Sequence, residues 1–153
     1  MDQLKGLEMQ SLRHASAVEI AKELDQIKRK WNRIAQIFQE NAERWQQIAP
    51  QHFPGILALS PCKPGETRIS ASTLGKDFVI ELTPTIRNEE LYGKVTARVV
   101  EHPGKRSVLA CELLISTEGL ILSPDGERLI DMYESDSPGY RLLAELLYKV
   151  IAV

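Results

Sequence analysis

The stretch that decides the fold runs from residue 17 to residue 49, AVEIAKELDQIKRKWNRIAQIFQENAERWQQIA. Its apolar residues recur at alternating steps of three and four, a spacing that only a helix brings to one side. Lettered as a heptad, position a holds Ala17, Leu24, Trp31, Phe38 and Trp45, and position d holds Ile20, Ile27, Ile34, Asn41 and Ile48. At 1.5 Å per residue the stripe needs a partner surface over roughly 45 Å, supplied either by another chain or by the rest of this one. Bulky Trp31, Phe38 and Trp45 at a suit a two-stranded parallel coiled coil poorly. Small Ala21, Ala35, Ala42 and Ala49 at e, with Ile37 at g, widen the apolar face beyond a narrow seam. A wide aromatic face fits a helix lying on its own sheet or an antiparallel helix pair. The two readings are compatible, because such a helix outreaches a typical strand of ~17 to 20 Å and leaves an overhang.

The boundaries of this helix are written in capping chemistry. Ser16 and Glu19 form an S-x-x-E capping box at its start. Pro50 disfavours helical geometry in the residue before it, and Pro54-Gly55 completes the break, so the helix is predicted over 16–49. Residues 1–15 read as a separate short helix or arm, since Leu4, Leu7 and Leu12 do not extend the heptad, whose earlier positions fall on Gln10 and Arg13.

Downstream the period changes to two. Arg68–Thr73, Phe78–Thr83, Leu91–Val100, Val108–Ser116, Gly119–Leu122 and Arg128–Tyr133 read as strands. Leu74-Gly75-Lys76, His102-Pro103-Gly104-Lys105, Glu118-Gly119 and Ser123-Pro124-Asp125-Gly126 punctuate them as turns, and connections this short make the neighbours antiparallel. On the two longest strands Leu91, Val95, Ala97 and Val99, with Leu109, Cys111, Leu113 and Ile115, are predicted to face the core. The opposite face mixes Tyr92, Lys94, Thr96 and Arg98 with Val108, Ala110, Glu112 and Leu114. A last helix opens with Ser137 as N-cap and Pro138 at its first position, and buries Leu142, Leu143, Leu146, Leu147, Val150 and Ile151. The fold class is therefore α+β: a long N-terminal amphipathic helix, an antiparallel meander of five to six strands, and a C-terminal helix on the sheet, with 55–153 and the long helix forming one globular domain.

Composition bounds the function. With 153 residues, 43% hydrophobic and 26% charged, the chain matches one ordinary domain. A net charge of -2 supplies no global positive field for nucleic acid or an anionic membrane. Met1 to His14 lack the apolar core of a signal peptide, and no run approaches the roughly 20 apolar residues of a membrane span. Cys62 and Cys111 have no CxxC or Cys/His spacing, which reads as free thiols in a reducing compartment. The expectation is a cytoplasmic protein.

Two basic groups invite a nucleic-acid or acidic-partner reading. Lys28, Arg29, Lys30 and Arg33 cluster on the long helix, and Lys94, Arg98, Lys105 and Arg106 gather around one hairpin. The first group, at e, f, g and c, surrounds the outer face of the helix and is interrupted by no aromatic available for base stacking, and Glu23 and Asp25 offset it, so a solvated helix face is the plainer reading. Catalytic chemistry has no nominee. His14, His52 and His102 sit at a helix end, a linker and a turn, without an associated nucleophile. Cys111 alternates with core aliphatics. Cys62, in Pro61-Cys62-Lys63-Pro64-Gly65, is the more accessible thiol, with a lysine beside it to lower its pKa. Asp131, Glu134 and Asp136 read as solubilising and capping charges. No GxGxxG, GxxxxGK[ST], GxSxG or calcium-loop pattern is present.

These readings converge on a non-enzymatic protein-binding module of adaptor, chaperone or inhibitor type. It is expected to form a homodimer and to meet an unidentified protein partner, with Trp31, Ile34, Phe38 and Trp45 as assembly residues and no cofactor or metal. The alternatives are a small-ligand pocket between helix and sheet, lined by Phe78, Leu113 and Trp31, and nucleic-acid binding through the basic cluster.

Overall fold

The computed structural model describes residues 16–101, 106–131 and 138–153. Helix α1 spans Ala17–His52, followed by strands β1 (Leu57–Leu59), β2 (Arg68–Thr73), β3 (Lys76–Arg87), β4 (Glu90–Glu101), β5 (Arg106–Ile115), β6 (Leu120–Leu122) and β7 (Arg128–Asp131), then helix α2 (Pro138–Ala152). The strands form one antiparallel sheet in strict chain order, and both helices pack on the same face of it. This is the α+β architecture that the change of period implies.

Ser16 caps α1 by accepting a hydrogen bond from the Glu19 backbone N–H at 3.2 Å. The helix continues three residues past Ala49 and carries Pro50 inside its last turn. Proline there removes a single backbone donor, and the Phe53 N–H, bonding the Ala49 carbonyl at 2.9 Å, closes the end instead.

Both long hairpins turn on two residues with positive φ, the geometry whose twist matches paired strands. Leu74 and Gly75 join β2 to β3 with φ of 48° and 81°, and Asn88 and Glu89 join β3 to β4 with φ of 51° and 64°. The second turn is hidden in sequence because glutamate stands where glycine usually does. As a result β3 and β4 outrun their predicted bounds, and Pro84 lies within a strand opposite Gly93.

That hairpin folds back across the face of the sheet away from the helices. Arg87 lies six residues along β3 from Glu81, about 20 Å at strand rise, and Glu81, Thr96 and Glu112 are successive partners across three strands. Arg87 nevertheless reaches Glu112 at 3.4 Å and donates to the Pro124 carbonyl at 2.6 Å. Only a strongly bent sheet permits this. Leu114 and Leu122, paired between β5 and β6, are buried between those two anchor points, so part of the mixed face is closed by the chain itself. Gly93 stands at the bend. A Cβ there would lie 2.5 Å from Ile34 Cγ2 and 2.7 Å from Leu82 Cδ1.

A bulge corrects the predicted facing of β5. Ala97 pairs with Cys111 but Arg98 pairs with Leu109, so Ala110 is the extra residue. Leu109 therefore faces outward beside Arg98 and is 44% exposed, and Val108 takes the inward place opposite Val99.

The core joins Ile34, Phe38, Ala42, Trp45 and Ala49 of α1 to Ile69, Phe78, Ile80, Leu82, Val95, Leu113 and Ile121 of the sheet and to Leu142, Leu143, Leu146, Leu147 and Val150 of α2. Trp45 donates its indole N–H to the Gly139 carbonyl at 2.8 Å and meets Phe38 edge-on. Lys76 caps the end of α2 by donating to the Val150 and Ile151 carbonyls. Predicted features at residues 1–15, His102–Lys105, Met132, Tyr133 and the Ser137 cap lie outside the described residues.

Candidate functional site

The heptad stripe of α1 divides in two. From Ile34 onward it is the chain's own core: Ile34, Phe38 and Trp45 are fully buried, and even Asn41, at a d position, is buried and donates to the Ile37 carbonyl at 2.8 Å. Three of the four expected assembly residues are thus covered by the chain's own sheet and C-terminal helix. Trp31, the fourth, is half-buried at the boundary, as is Ile27 one turn earlier. Beyond them the helix continues outward, with Leu24 60% exposed and Val18 65% exposed. The seam beyond the core therefore comprises Ala17 and Leu24, which are exposed, and Ile20 and Ile27, which are half-buried, and ends at Trp31.

The flanks of that seam are charged. Glu23 and Lys30 occupy g, and Lys28 occupies e. One Glu23 carboxylate oxygen is shielded from solvent with no hydrogen-bond partner. The basic cluster is largely engaged within the chain. Arg29 pairs with Asp25 one turn earlier. Arg33 donates from Nε to the Thr117 carbonyl at 2.8 Å, tying the helix to the β5–β6 turn, and Lys30 has a partner as well. Lys28 is exposed. In the second cluster Lys94 and Arg98 point to the outer face of β4, and Arg106 stands opposite Glu101; Lys105 lies outside the described residues.

Among the described residues a cavity at a helix–sheet junction sits under α2. It measures about 240 Å³ and is lined by Leu113, Ile121, Leu129, Leu142, Arg141 and Glu145. Of the pocket residues expected from sequence only Leu113 belongs to it; Phe78 is a buried member of the core. A second bulge builds the wall. Ile121 pairs with Ile130 and Leu122 with Arg128, so Leu129 is the unpaired residue of edge strand β7. The bulge turns Leu129 toward the cavity while leaving it 49% exposed. Nothing in the sequence announces this site, because neither a bulge on a four-residue strand nor an Arg-x-x-x-Glu pair on a helix is a distinctive pattern.

The thiols are tuned away from reactivity. Burial raises the Cys62 pKa above its ordinary value, and the nearby Glu66 and Glu43 carboxylates raise it further, which reverses the effect expected from Lys63. Burial likewise raises Cys111, with Glu145 adding to it. At neutral pH both thiols are therefore held protonated. Alkylation by iodoacetamide is expected to be slow at Cys62 and to reach Cys111 only on unfolding; mass spectrometry after timed quenching reads both. Stability follows the same sign. A thiol whose pKa is raised by folding binds its proton more tightly in the folded state, so stability is complete below the unfolded value of 9.0 and declines as pH rises through the folded values. Tyr92, also raised chiefly by burial, acts in the same direction at higher pH. Denaturant midpoints between pH 7 and pH 11 measure the decline.

Among the described residues no helix is long and apolar enough to cross a membrane, and no three histidine, cysteine or acidic side chains converge as metal ligands would. Comparison with family models, curated proteins and solved structures finds no match to this chain.

Proposed function

We propose that the chain is a non-enzymatic protein-binding module that pairs with a second copy of itself through the exposed N-terminal half of α1. The observation that carries this reading is the continuation of an a/d seam beyond the sheet, with Leu24 at its centre and 60% exposed. A monomer gains nothing by exposing leucine at a seam position, whereas a second helix laid along it removes that surface from water at about 25 cal/mol per Å². An antiparallel arrangement fits best. It places the two globular bodies at opposite ends of the paired segment, and it brings Glu23 at g against Lys30 at g of the other helix, an opposite-charge contact made twice by symmetry.

The test is absolute mass by light scattering across a hundredfold range of concentration. The natural chain is expected to move from one to two copies. Leu24→Glu is expected to hold the single-copy mass throughout and to melt where the dilute, single-copy natural chain does, because Leu24 lies outside the core cluster. A natural chain that keeps the single-copy mass at every concentration would overturn the proposal.

A further inference from the structure

We propose that the cavity beneath α2 binds a free apolar α-amino acid, with the side chain inside and the dipolar head held at the mouth by Arg141 and Glu145. Size argues for a ligand of this class. A volume of about 240 Å³ exceeds the ~150 Å³ that accommodates benzene in a protein interior and falls short of the roughly 300 Å³ at which drug-sized pockets begin. The walls argue for an apolar body, since Leu113, Ile121, Leu129 and Leu142 present only hydrocarbon.

The mouth argues for a zwitterion. Arg141 and Glu145 lie one helical turn apart on α2, about 5–6 Å between Cβ atoms, and both line the cavity. Neither has a hydrogen bond or ion pair among the described residues. They also stand in the less favourable order for pairing with each other, with the cation nearer the helix N-terminus. A ligand carboxylate accepts two parallel N–H bonds from the Arg141 guanidinium, and its ammonium donates to the Glu145 carboxylate. Both charges stay near solvent, so neither suffers deep burial. The bulge on β7 is part of the device, because it is what sends Leu129 across the opening.

Titration of the full-length protein with L-leucine and L-phenylalanine, followed by amide chemical shifts, tests this. Saturable shifts confined to β5–β7 and α2 are expected. 4-Methylpentanoate lacks the ammonium and 3-methylbutylamine lacks the carboxylate; each is expected to bind at least about tenfold more weakly, the loss of one charged hydrogen-bonded contact. Arg141→Gln and Glu145→Gln should each weaken L-leucine to a similar extent. Leu129→Trp should abolish binding with the fold retained, since Leu129 is half exposed. Absence of saturable shifts with either amino acid would overturn the proposal. So would equal binding of the two truncated analogues and L-leucine, which would reduce the site to an apolar cavity. These readouts do not depend on the oligomeric state.

Discussion

Trp45→Ala is expected to produce the largest loss of stability of any single substitution in this chain. Trp45 is fully buried, packs edge-on against Phe38, and donates its indole N–H to the Gly139 carbonyl at 2.8 Å. It thus joins α1, the sheet and the first turn of α2 at one point. Removing it leaves a cavity too well surrounded to collapse and takes away the indole hydrogen bond that ties α1 to the first turn of α2. The cost is about 3–5 kcal/mol, a fall in melting temperature on the order of 10 °C for a domain of this size. Trp45→Phe separates the two contributions. It retains most of the ring and loses the hydrogen bond, so a smaller loss of about 1–3 kcal/mol is expected. Differential scanning calorimetry of the three proteins reads both values. Equal stability of Trp45→Phe and the natural chain would show that the Gly139 contact contributes nothing.

The second large effect is expected at Gly93. A methyl group there meets Ile34 Cγ2 at 2.5 Å and Leu82 Cδ1 at 2.7 Å. Leu82 can swing its terminal methyl aside, but Cγ2 is fixed to the Ile34 Cβ and moves only with the helix or with a change of rotamer. Gly93→Ala therefore pushes α1 away from the bend of the sheet, an overpacking cost of about 1–3 kcal/mol. Ile34→Leu removes that particular methyl while conserving volume. The double variant Gly93→Ala with Ile34→Leu is expected to be more stable than the sum of the single effects by about 0.5–3 kcal/mol. Denaturant unfolding of the four-protein cycle measures the coupling. Strict additivity would mean that the bend is set elsewhere.

How the sequence encodes these features differs from one element to the next. The capping box at Ser16, the turn at Leu74-Gly75 and the leucine face of α2 are local signals, and the structure places helix, hairpin and helix accordingly. The divided fate of α1 was legible in part. The aromatic a positions and the small residues Ala42 and Ala49 mark the half that lies on the sheet, where a broad face is needed, and both alanines are buried. The point of division was not legible, because the stripe continues without a break from Trp31 to Leu24 while the strands beneath it end. Whether an apolar position is core or surface is decided there by the reach of a neighbouring element, which local periodicity does not record.

Other features escaped for physical reasons of the same kind. β1 has three residues, too few to display alternation. Pro84 argues against a strand when read locally, yet it is accommodated opposite Gly93, where the hairpin leaves the plane of the sheet. The bulge at Ala110 exchanges the faces of Leu109 and Val108 without any glycine to mark it. The cavity under α2 depends on a similar irregularity at Leu129, and its two charged residues look from sequence like ordinary solvated helix positions.

Helix α1 is continuous; its core half belongs to this chain, and its outer half is proposed to meet a second copy. Amide hydrogen exchange along residues 17–52, measured at a low and a hundredfold higher protein concentration, tests it most directly. Residues 34–49 are expected to exchange slowly at both concentrations, through the unfolding of the whole domain. Residues 17–30 are expected to exchange rapidly when dilute and to become protected when concentrated, with the boundary near Trp31. Uniform protection of the entire helix at both concentrations, or rapid exchange of residues 17–30 that concentration does not slow, would contradict the account.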